Sequence, residues 1–206
     1  MQLLGSIKDF VEKKHKLIII IFFLAFLIIG LISVKDYGIS TDELAQYTLG
    51  HNAIRLMLGN VRDIFNLMNK FHGTAFTITM AVVERALNIT DLKTIYAMRH
   101  FFSFFLFYAS VISFFFLCRN IFGNWKLGLL GSIFLVLSPR IFADSFYNPK
   151  DLPFLSAFLI AIFTLNMYLL NKNVKFAVIH GIATGFAAGI RILGIMIPFF
   201  TILSYA

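Results

Sequence analysis

The chain has 206 residues, of which 59% are hydrophobic and only 14% charged, with 26 Phe and a formal net charge of +8. That is far more apolar surface than a soluble core of this size buries, so a soluble enzyme and a nucleic-acid-binding domain are both excluded and the chain reads as an all-α polytopic membrane protein. The positive charges sit beside apolar runs, as retention on the cytoplasmic side of a bilayer requires.

Residues 1–16 carry Lys8, Lys13, Lys14 and Lys16 with Asp9 and Glu12 between them, a pattern that predicts a short amphipathic helix on the cytoplasmic surface. Residues 17–34 are uncharged and long enough to cross a hydrocarbon core of roughly 30 Å. No small-residue cleavage site follows, so this is an uncleaved first span with its amino end inside.

Residues 35–96 are the longest polar segment and form the predicted outer loop. It opens on Gly38-Ile39-Ser40-Thr41-Asp42-Glu43-Leu44, where Ser40 and Glu43 have the spacing of a capping box and Leu44, Tyr47, Ile54 and Leu58 recur with a helical period. A second short amphipathic piece is predicted around Ile64, Phe65 and Met68, reaching Phe71-His72-Gly73. Residues 75–83 are apolar but too short to span, so they predict an interfacial or buried helix. Asn88-Ile89-Thr90 has the form of a glycosylation sequon, and equally that of a helix stop followed by a new cap at Thr90.

Spans follow at about 97–118, 127–144 and 152–170, the last opened by Pro153, which is tolerated in a first turn. Arg119 and Lys126 in one short loop, with Lys172 and Lys175 in the next, mark the inside. Residues 176–206 are about thirty in number, enough for one tilted span or two short ones. Gly181, Gly185 and Gly189 are spaced for close helix packing. Arg191 in the middle of this stretch favours a turn, which would bring its guanidinium to the outer surface. The total is about five or six spans in a single transmembrane domain. Cys118 has no partner for a disulfide.

On this topology Asp42, Glu43, His72, Arg99, Arg140, Lys150, Asp151 and Arg191 come from separate segments to one face. Cations that hold a phosphate, with a carboxylate that deprotonates a nucleophile, suit a reaction on an anionic lipid head group. Each residue also has a plainer account. Asp42 and Glu43 are first-turn acids of a capped helix, Asn148-Pro149-Lys150-Asp151 is a turn ahead of a helix, and Arg99 and Arg140 are snorkelling cations near span ends.

The chain resembles the amino-terminal half of the GT-C membrane glycosyltransferases, in particular the protein O-mannosyltransferase and aminoarabinose-transferase group. The resemblance is carried by Asp42-Glu43 after the first span, Met98-Arg99 opening the second, Leu137-Ser138-Pro139-Arg140, Asn148-Pro149-Lys150-Asp151-Leu152-Pro153, and Gly185 to Pro198 around Arg191. It implies an inverting transfer of sugar from a polyprenyl-phosphate donor to a protein, lipid or glycan acceptor through a hydroxyl or amine. Asp42 would be the base with Glu43 as its neighbour, and Arg99 and Arg191 would face the phosphate. Asp151 would match a second acidic position that helps some relatives bind a divalent metal. Where many relatives have His followed by two prolines, this chain has His72-Gly73-Thr74. The implied setting is the plasma or inner membrane, or the endoplasmic reticulum, with membrane lipids as neighbours. The 206 residues are expected to be part of a longer module and to be inactive alone. A non-catalytic transporter, flippase component or assembly factor that binds a lipid phosphate is the alternative from another class.

Overall fold

The computed structural model describes residues 2–59 and 73–204, and side chains from Glu12 onward. The predicted amphipathic piece at 64–71, and His72 with it, lie outside the described residues. Everything regular that is described is helical: α1 (Gln2–Ser33), α2 (Thr41–Met57), α3 (Ala75–Ala86), α4 (Leu92–Phe122), α5 (Trp125–Leu137), α6 (Pro139–Tyr147), α7 (Asp151–Asn171), α8 (Val174–Ile190), a 3-10 turn (Ile192–Ile195) and α9 (Met196–Leu203). Three helices, α1 from Glu12, α4 and α7, are long and apolar enough to cross a membrane, and α5 with α6 makes a fourth if the bent pair is one span. Over the described residues the chain is thus all-α, consistent with a polytopic membrane protein, with α8 and α9 among its shorter apolar helices.

Three expectations change. The first sixteen residues are no separate surface helix, because α1 runs unbroken from Gln2 to Ser33; no proline interrupts it, and its lysines extend the same helix beyond the apolar run. The stretch expected as one span at 127–144 bends by 67° between α5 and α6. Pro139 sits at the first position of α6, where its missing amide costs nothing. Nothing lies within 4 Å of a side chain built at Gly181 or Gly185; of the three glycines only Gly189 is closely packed, against Ala75. Periodicity placed them on one face without saying what faces it.

Arg191 does break its helix. It is extended (φ −144°, ψ 140°) and ends α8. Beyond it the chain reverses: His180 Nε2 and Thr201 Oγ1 are 2.9 Å apart, whereas 21 residues of continuous helix would separate them by about 31 Å. The 3-10 turn tucks under α8 because Gly194 offers no side chain where the Ala188 backbone passes.

Two apolar clusters hold the bundle. The first is Phe-rich, with Phe26 of α1, Phe104 and Phe107 of α4 and Phe146 of α6 all buried; Phe104 and Phe146 stack at 5.2 Å and 3°. Gly30 lets α1 close on the Phe104 ring. The second joins α3, α7, α8 and α9 through Phe76, Met80, Ala161, Ala187 and Ile197. Turns are short and locally encoded. Gly123 (φ 62°) closes α4 and Asn124 caps α5 by accepting from Lys126 N at 2.9 Å. Lys172 (φ 48°) and Asn173 do the same between α7 and α8.

The bundle therefore has two ends. At one, Glu12 of α1 meets Lys126 Nζ at 2.5 Å and Trp125 Nε1 at 3.2 Å, so the amino-terminal part of α1 lies beside the α4–α5 turn. At the other lie α2, α3, the start of α4, α6, the start of α7 and the break at Arg191. Chemistry-bearing side chains concentrate at this second end.

Candidate functional site

The site is built from the start of α2. Ser40 and Glu43 form the capping box expected from their spacing: Ser40 N donates to Glu43 Oε2 at 2.7 Å. The Ser40 hydroxyl also donates to the Tyr147 carbonyl at 3.1 Å, and Tyr37 stacks on Phe146 at 4.6 Å. The segment is thereby clamped to the end of α6. Asp42 stands exposed in the first turn, while Glu43 points inward and is buried.

The buried face of α2 is Glu43, Gln46, Leu49, Gly50 and Ile54, whereas Leu44 is largely exposed, so polar and apolar residues share the buried side. Its polar residues are buried because partners wait for them. Glu43 Oε1 lies 2.7 Å from His100 Nε2, both side chains being 3% exposed. Next to this pair, Glu84 of α3 takes Arg99 Nε on Oε1 at 2.6 Å and His51 Nε2 on Oε2 at 2.7 Å. Arg99 also lies over the Tyr47 ring, 5.0 Å from its centroid. The Tyr96 hydroxyl is buried within electrostatic range of both carboxylates and has no hydrogen-bond partner among the described residues. The two pairs tie α2, α3 and α4 together, and a void of about 10 Å³, room for about one water, remains between Glu43, Arg99 and Ser103.

A second constellation lies at the same end and is open to solvent. Asn148 folds the loop before α7, its side chain accepting from Lys150 N at 3.2 Å and Asp151 N at 2.8 Å. Asp151 begins α7 and its carboxylate pairs with the Arg191 guanidinium, 40 residues away. Lys150 is half-buried between them and Asp42. Burial pushes its amine below the ordinary lysine value, Arg191 pushes the same way, and Asp42 opposes. Asp42, Lys150, Asp151 and Arg191 thus come to one neighbourhood from three segments, Asp151 and Arg191 in direct contact and Asp42 acting on Lys150 through space. The arrangement presents two half-buried cations flanked by two carboxylates, which suits an anionic group approached by a nucleophile.

Four of the residues expected at one face are therefore brought together. Arg99 is not among them: it is consumed by Glu84 inside the bundle. Glu43 belongs to the buried dyad with His100. The Arg140 side chain is 92% exposed and pairs with Asp144 at 3.8 Å. Among the described residues no group of three or more His, Cys, Asp or Glu side chains is placed to hold a metal ion, and Asp151 is paired with Arg191. Glu84, His100, His51 and Tyr96 were not anticipated; the one local signal for them was the cost of Glu84 and His100 amid apolar helix residues. Thr90 is likewise not the cap of α4. Asp91 is, accepting from both the amide and the hydroxyl of Thr94 at 2.9 Å, while Asn88 (φ 52°) closes α3 as expected of a helix stop. Compared with family models, curated proteins and solved structures, the chain shows no match to any of them.

Proposed function

We propose that this chain carries the catalytic face of a lipid-phosphate-dependent glycosyltransferase, which moves a sugar from a polyprenyl-phosphate donor to an acceptor hydroxyl or amine on the extracytoplasmic side. The observation that carries this reading is the meeting of Asp42, Lys150, Asp151 and Arg191 at one end of the bundle. The lysines and arginine of the short loops support a cytoplasmic amino end for α1, an orientation in which the four residues face outside.

In this mechanism Lys150 and Arg191 hold the donor phosphate, and Asp151 keeps the Arg191 guanidinium aimed. Asp42 accepts the proton of the acceptor hydroxyl as its oxygen attacks the anomeric carbon. The carbon–oxygen bond to phosphate breaks, the electron pair leaves with the polyprenyl phosphate, and the anomeric centre inverts. A phosphate leaves as a stabilised anion, so two cations and one base are sufficient machinery. Glu43 does not touch substrate here; it positions Asp42 by locking the first turn of α2 from below.

Donor binding tests the phosphate site. In the intact protein, Lys150→Ala with Arg191→Ala is expected to weaken binding of a polyprenyl-phosphate sugar by at least tenfold, since each charge-assisted hydrogen bond contributes about 1.5–3 kcal/mol. Unchanged affinity with an unchanged melting midpoint would refute the assignment.

A further inference from the structure

On the other side of the Glu43–His100 dyad lies a cleft of about 450 Å³ between the end of α1 and the start of α4, lined by Lys35, Tyr37, Lys93, Tyr96, Ala97 and His100. Lys35 and Lys93 are exposed, and among the described residues no carboxylate comes within 4.0 Å of either ammonium. Asp91, the nearest acid in sequence to Lys93, accepts from Thr94 and acts on the Lys93 ammonium through space only, and Asp36, next to Lys35, makes no ion pair with it. Tyr96, 4% exposed, lines the buried side of the cleft.

Below each lysine runs an exposed apolar track. On α4, Lys93, Ala97, Phe101 and Phe105 follow at four-residue intervals, all exposed, and the two phenylalanines stack at 6.0 Å. On α1, Ile32, Ile28, Leu24 and Ile21 descend from Lys35 at helical spacing and are each at least half exposed. Two unpaired cations above two apolar tracks on helices that cross a membrane match a molecule with an anionic phosphate head and hydrocarbon chains. A free phosphate would use the lysines but leave the tracks idle.

We infer that this cleft is a binding site for an anionic bilayer phospholipid, with Lys35 and Lys93 on the head-group phosphate and the acyl chains lying along α1 and α4. The site exists whether or not Asp42 acts as a base, because it uses none of the four residues of the open constellation.

The test is native mass spectrometry of the intact protein in detergent with phosphatidylglycerol or phosphatidylcholine of identical chains. Wild-type protein is expected to retain phosphatidylglycerol roughly tenfold better, two lysines each favouring the anionic head group. Lys35→Ala with Lys93→Ala should bring the ratio near unity. Both residues are exposed, so the melting midpoint should hold. Lys172→Ala with Lys175→Ala, at the opposite end, should leave the preference intact, and excess inorganic phosphate should not displace the lipid. The inference is overturned if the Lys35/Lys93 variant keeps the preference, if the Lys172/Lys175 variant loses it equally, or if inorganic phosphate competes fully.

Discussion

Removing Glu84 should damage this protein more than any surface change, because Glu84 neutralises an arginine that has no other carboxylate partner among the described residues. Arg99 is 6% exposed and Glu84 3%, with Arg99 Nε and Nη2 at 2.6 and 2.5 Å from Glu84 Oε1. In Glu84→Ala the guanidinium stays buried over the Tyr47 ring, with Glu43 across the small void. Breaking one side of a buried pair costs about 3–5 kcal/mol. At about 2–4 °C per kcal/mol for a chain of this size, the melting midpoint should fall by about 10 °C. The assay is thermal unfolding in detergent at one fixed scan rate, followed by circular dichroism. A second variant isolates the cause. Glu84→Leu with Arg99→Met removes both charges at similar volume and should recover most of the loss, since His51, with its side chain 21% exposed, can turn to water. A fall of less than about 3 °C in the single variant, or a double variant worse than the single, would show that charge burial at this site is not what the geometry implies.

Three further outcomes follow from particular contacts. Gly185→Ala, with open space around it, should stabilise by about 0.5–1 kcal/mol through helix propensity, while Gly30→Ala, whose methyl would fall inside the Phe104 ring, should destabilise by about 1–3 kcal/mol; denaturation midpoints of the two variants must move in opposite directions. Cysteines at His180 and Thr201, in a Cys118→Ser background, should be joined by a short bismaleimide because α9 folds back on α8; a continuous helix would hold them about 31 Å apart and give no cross-link. Because burial and Arg191 lower its pKa, Lys150 carries more free amine near pH 9 than an ordinary lysine and should acylate faster than Lys172. Asp42→Asn, which removes the opposing charge, should raise its rate further; equal rates in peptide mapping would contradict the placement of Lys150.

How far the sequence reaches depends on whether a feature is local. The Ser40–Glu43 box, the Asn88 stop and the glycine and asparagine of the α4–α5 turn all act within a few residues, and each is where its spacing says. Arg191 was legible for a different reason: a guanidinium in the bilayer is costly enough to force the chain to turn. The partners of Glu43 and Arg99 were not legible, since His100 is 57 residues from Glu43 and Glu84 is 15 residues from Arg99. No spacing rule links them, and a helix period cannot reveal that α2 buries Glu43 and Gln46 beside Leu49 and Ile54 when a neighbour supplies a partner. The same gap explains Arg99, which the family resemblance implied would face the phosphate and which is instead paired with Glu84 in the bundle's interior.

The open constellation and the buried dyad divide the labour of adjacent residues. Asp42 and Glu43 share one helix turn, yet one faces solvent near Lys150 and the other is locked beneath it on His100. A capped, clamped helix start is a fixed place from which to aim a carboxylate.

Sugar transfer by the intact protein bearing Asp42→Asn tests the central claim most directly, with transfer from a polyprenyl-phosphate donor measured beside donor binding and melting midpoint. The account predicts a loss of turnover of about 10²-fold or more, the usual contribution of a positioned base, while donor binding and stability are retained. Turnover that survives the substitution would contradict Asp42 as the base, whatever else the four residues bind.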